Sequence, residues 1–172
     1  MPNVEDILLG SGKLYIAELD NGGAIPSDIV SEANCVGDIK GGATLSYAPE
    51  IKEIKNDDDE TRKIFIIREV VKLKTGVMTW ALETMNKLSV GGTYDSTGKK
   101  LTIGGVKSVK QYAFVFVSDQ DFGNLTVTLK GSNLSGWEIA FNPENETVVD
   151  AEITAAKQNG GTLVTIEQSE AE

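Results

Sequence analysis

Gln111-Tyr112-Ala113-Phe114-Val115-Phe116-Val117-Ser118 carries six apolar residues in a row. Read at a period of two, Tyr112, Phe114 and Phe116 oppose Ala113, Val115 and Val117, so both sides of the run are apolar. A strand with that pattern is buried on both faces. Its neighbours have one wet face instead. In Leu125-Thr126-Val127-Thr128-Leu129 the apolar residues share one side and the threonines the other. Val149, Ala151, Ile153 and Ala155 alternate with Asp150, Glu152 and Thr154, and Val164 and Ile166 alternate with Leu163, Thr165 and Glu167. One doubly buried strand among half-buried ones predicts a mainly β, two-sheet sandwich or barrel-like fold.

The rest of the chain agrees. Valine, isoleucine and threonine make up 43 of the 172 residues, a quarter of the chain, and these side chains suit a pleated surface. Glycine pairs at 22–23, 41–42, 91–92, 104–105 and 160–161 read as turn or bulge positions that need positive φ. Further strands are expected near 13–20, 36–47, 50–55, 63–74, 99–104 and 135–141. One segment differs: Met78, Ala81, Leu82, Met85 and Leu88 recur at helical spacing. This predicts one short flanking helix at about 77–89, capped by Thr75 and ended by Gly91-Gly92. Trp80 points about 120° from that stripe, which makes it either a flank packed under a loop or an anchor in a subunit contact. The length suits a single domain over 1–172, with a flexible N-terminal arm at about 1–10 and an acidic tail at about 168–172.

Composition removes much chemistry. There is no histidine and a single cysteine, Cys35, so imidazole bases, Ser–His and Cys–His pairs and His/Cys zinc sites lack their parts. The net charge is −10, and no basic cluster favours binding to phosphate backbones. Asn56-Asp57-Asp58-Asp59-Glu60 invites a calcium reading, but from Asp57 the sixth position is Arg62 and the twelfth Arg68. A loop starting at Asp119 fails likewise, with Lys130 twelfth. Gly10-Ser11-Gly12 lacks the third glycine of a dinucleotide fingerprint. No enzyme activity, metal or cofactor is expected. The N-terminus has no basic region followed by an apolar run, and no stretch reaches the roughly 20 apolar residues of a spanning helix. The chain is therefore expected to be soluble, without a membrane anchor, and made in the cytoplasm.

Three stretches resemble the tail tube proteins of long-tailed phages, of the type found in phages of Gram-positive hosts. The first is Val36-Gly-Asp-Ile-Lys-Gly-Gly-Ala-Thr-Leu-Ser-Tyr-Ala-Pro-Glu50, leading into Ile51–Ile54. The second is the acidic tip at 56–60, an extended hairpin loop of about 56–62 leading to a long strand 62–74. The third is Phe141-Asn-Pro-Glu-Asn-Glu-Thr-Val-Val-Asp-Ala-Glu152, followed by Gly161–Glu167.

The resemblance implies a virion structural protein that self-assembles into stacked hexameric rings. Such rings form a conduit through which DNA passes without specific binding. Tape-measure, tail-terminator and baseplate proteins would be its other partners, and the virion tail its place. A non-contractile tail is favoured by the Gly-Gly and Tyr-Ala-Pro-Glu stretches, with the inner tube of a contractile tail as the variant. Within that frame Asp57, Asp58, Asp59 and Glu60 are inter-ring loop candidates, facing Lys99, Lys100, Lys107 or Lys110 of the next ring. Glu50, or Asp150 and Glu152, are candidates to line an acidic bore, and Trp80 is the subunit-contact candidate. The competing function is a carbohydrate- or surface-binding β-sandwich module. It calls for exposed aromatics around a groove or a calcium loop, against an aromatic content of 6% here.

Overall fold

The computed structural model describes residues 12–78, 81–105, 108–120 and 123–169. Trp80, Lys107, the expected N-terminal arm and the last three residues lie outside them. Nine strands and one α-helix follow in order: β1 (Lys13–Glu18), β2 (Ile39–Lys55), β3 (Thr61–Val77), α1 (Leu82–Lys87), β4 (Gly92–Asp95), β5 (Lys100–Ile103), β6 (Tyr112–Gln120), β7 (Gly123–Asn133), β8 (Val149–Ala155) and β9 (Val164–Gln168). The fold is mainly β. A seven-stranded antiparallel sheet has the order β1-β6-β7-β8-β3-β2, with β9 on the same side of β7 as β8, and β4–β5 form a separate hairpin.

β6 is the doubly buried strand that its alternation predicts. Phe114, Tyr112 and Phe116 enter the main core with Leu14, Ile16, Leu73, Val77, Leu129, Val149, Ala151 and Ile153. Ala113 and Val115 face the other way into a smaller core with Ala17 and Ile29, flanked by Leu19 and Ile25. The sheet is therefore covered on both sides at β1–β6, by the 19–29 loop on one face. On the other, Leu88, Trp137 and Ile139 pack over the main core. A Cβ on Gly131 would lie 2.2 Å from the carbonyl of Thr154, so β7 can be flanked by β6 and β8 there only as glycine.

Several elements depart from the sequence reading. The helix spans only 82–87, because Thr75 and Val77 belong to β3. Val77 pairs with Ile39 and Val149, and Thr75 donates to the Gly42 carbonyl rather than capping a helix. The strands expected at 36–47 and 50–55 are one. β2 continues through Pro49, which a sheet-edge strand tolerates. No strand forms at 135–141, where a turn at Gly136 (φ 75°) gives way to irregular chain held by side chains. The expected 56–62 loop is shorter, a tight turn over 56–60, and the extension lies in the strands on either side. β4 was not expected. Its signal is Thr93-Tyr94 ahead of the Asp95-Ser-Thr-Gly98 turn.

Candidate assembly surface

β2 and β3 are both 17 residues long, yet β8 pairs with β3 only over Lys72–Val77. Beyond Lys72 the two strands run on alone as a ribbon of about 30 Å at 3.3 Å per residue. Every residue from Ser46 to Lys55 and from Thr61 to Glu69 is exposed. The ribbon nonetheless carries large apolar side chains between its charged ones. Ile51, Ile54, Ile64, Phe65, Ile66 and Ile67 are all large exposed hydrophobics, with Ile66 and Ile67 60% and 59% exposed.

The register sorts these side chains. Ile51 stands opposite Ile66 and Glu53 opposite Ile64, so Ile51, Ile64 and Ile66 form a comb on one face. In β2 that face is continuous by alternation with Leu45, which packs on the main core. The core side of the sheet thus runs on past its own cover. A register shift between Glu50 and Ile51 leaves Ile67 as the extra residue of β3. On the opposite face Phe65 lies across from Lys52, with the Lys63 ammonium 4.8 Å from its ring centre. Back on the comb face and nearer the core, the Tyr47 hydroxyl donates to Glu69 at 2.7 Å, and bonding to that carboxylate raises the phenol pKa.

The tip is self-contained. Asn56 accepts from the Glu60 backbone N–H and its amide donates to the Glu60 carboxylate, while Asp59 takes φ 64°. Lys55 pairs with Asp59 at 3.1 Å and Arg62 with Glu60 at 3.0 Å. Two of the four candidate inter-ring carboxylates are therefore matched within the tip. Asp57 and Asp58 have no ion-pair partner among the described residues. Of their proposed partners, Lys110 donates to Glu18 at 3.0 Å, and that bond raises its pKa. Lys99 and Lys100 lie at the β4–β5 turn.

Glu50, Asp150 and Glu152 were expected as two alternative linings, and they share one face. Glu152 stands opposite Lys74, which stands opposite Thr44, and Thr44, Ser46, Ala48 and Glu50 alternate along β2 without a bulge. The same face carries Arg68 opposite Glu50, and Lys72, which donates to Glu152 at 2.8 Å. It is charge-balanced rather than acidic.

The two rims of the sheet differ. β1 is covered by its own chain: Cys35 bridges Tyr15, and the Val36 N–H donates to the Leu14 carbonyl at 3.0 Å. β2, the other rim, has no partner strand on its outer edge among the described residues. A third feature completes the surface. Met78, Leu82, Met85, Ile139, Phe141, Thr147 and Val149 line an open apolar cavity of about 560 Å³ beside α1. Its walls are fixed by polar side chains. The amide of Asn133, itself buried, donates to the Leu88 and Gly136 carbonyls, and the Trp137 indole donates to Ser89 at 2.7 Å. Lys40 pairs with Glu146, tying the segment before β8 to the start of β2. Sequence reasoning missed both the ribbon comb and this groove. Four consecutive apolar residues, Ile64 to Ile67, were the signal for the first.

Among the described residues no cluster of ligating side chains could hold a metal ion, and no helix is long and apolar enough to cross a membrane. No protein-family model matches this chain, and no curated protein matches it in sequence.

Proposed function

We propose that this protein is a self-assembling structural subunit, and that its copies close into rings and stack as the tube of a phage tail. The observation that carries the reading is the β2–β3 ribbon with its uncovered isoleucine comb. At a little over half exposure of about 150–200 Å² per side chain, the three comb isoleucines present about 300 Å² of apolar surface on one face. One side of a standard protein interface covers about 800 Å², a little over half of it apolar, so the comb supplies roughly two-thirds of the apolar part of one such side. A free β2 rim adds unpaired backbone groups that another chain can satisfy.

The conduit part of the proposal places the Glu50–Asp150–Glu152 face toward the hole. Sliding DNA then meets cations that stand across from carboxylates of the same face. Lys72 is bonded to Glu152 and Arg68 stands across from Glu50, so few are available to displace counterions from phosphate.

Negative-stain electron microscopy at rising protein concentration tests the function. Rings or tubes with a central hole are the expected result. Particles that stay monomeric throughout would end the proposal.

A further inference from the structure

The comb and the groove beside α1 are both apolar and both uncovered, and they lie at opposite ends of β3. Ile66 and Met78 are separated by 12 residues of extended chain, about 40 Å. A ribbon so placed cannot fold back onto the groove of its own chain. We infer that the groove receives the ribbon of a second copy, with the comb of Ile51, Ile64 and Ile66 entering between α1 and the 139–149 segment.

Four observations select that occupant. Among the described residues the groove is lined without a charged side chain, and the comb brings isoleucines to it; the charges on the comb face beside them are Glu53, opposite Ile64 nearer the tip, and Arg62, which is already paired with Glu60. A cavity of about 560 Å³ is of the size that takes several side chains. Two of its lining residues, Met78 and Met85, are unbranched and adapt to an incoming shape. The comb's apolar area is a large part of the apolar half of one side of a standard interface. Because unlike patches meet, the contact is head-to-tail, and such contacts close into rings or continue as filaments according to their rotation.

The inference rests on the self-assembly reading, and the test separates the two. Two variants are made in the full chain. Ile64→Asp with Ile66→Asp disables the ribbon, and Phe141→Asp disables the groove. All three positions are exposed in the monomer, Phe141 by 89%, so the monomer fold should survive, as checked by thermal unfolding. In sedimentation velocity each variant alone should self-associate at least tenfold more weakly than the wild type. A one-to-one mixture retains one intact ribbon and one intact groove, and should form a discrete heterodimer that grows no further.

A mixture that stays monomeric, or a groove variant that assembles like the wild type, overturns the inference. If the wild type still makes hollow rings in that case, the tube reading stands without it. Heterodimers from the mixture, with open chains but never a ring from the wild type, would uphold the contact and reject the tube. A wild type that remains monomeric at every concentration removes both.

Discussion

Glu152 shows how one residue ties the face together. Its carboxylate accepts from Lys72 and from the Ser135 hydroxyl at 3.0 Å, and those bonds hold its pKa below the usual carboxylate range. A carboxyl with a lowered folded-state pKa adds stability above its unfolded value, and that contribution is lost as pH falls through the lowered one. Glu152→Gln should therefore unfold at a lower temperature than the wild type near neutral pH. The gap should close as the solution is acidified below the carboxylate range. A gap that persists in strong acid would mean that Glu152 acts through packing alone. The alternation of β8 already placed Glu152 on a polar face. Its partner was not readable, because Lys72 lies 80 positions away and only the β3–β8 register brings them together.

At the scale of elements, the ribbon separates stability from assembly. Deleting Lys52–Glu53 together with Ile64–Phe65 removes two facing pairs and keeps the tip, the remaining register and its alternation. Those residues touch no core, so the change in unfolding free energy should stay within about 0.5 kcal/mol, as for other surface changes. The rings expected from the proposed function should then fail to form in electron microscopy. A large loss of monomer stability would return the ribbon to the fold.

Local pattern was informative where it matched burial. β6, β7 and β8 follow from alternation alone, since each buries the face its sequence marks as apolar. It misled where tertiary pairing took over. Met78 to Leu88 has a helical stripe, yet Gly76 and Val77 are held in β3 by partners on both sides. Pro49-Glu50 looks like a break between strands, but an edge strand needs no hydrogen-bond donor on its outer side. The groove was beyond reach, since Met78, Phe141 and Val149 converge only after the sheet has formed.

For the whole molecule, the formal charge of −10 makes copies repel one another at long range, so any association must come from short-range apolar contact or from local ion pairs. The two predict opposite salt responses. Assembly through the ribbon should strengthen over a roughly tenfold rise in sodium chloride, which screens that repulsion, and strengthen further in sulfate, which favours apolar burial. Assembly through Asp57 and Asp58 on lysines of another copy should weaken over the same range. Light scattering across that series decides between them, and we expect the ribbon to dominate because half of the tip carboxylates are already neutralised by Lys55 and Arg62.

The ribbon at one end of β3 and the groove at the other give the subunit a direction. A polymer that inherits it has two unlike termini, one offering a protruding finger and the other an empty socket. Growth would run at different speeds from each, and a protein that stops elongation at one terminus would find nothing to grip at the other. Capping such a structure therefore takes two proteins of different shape.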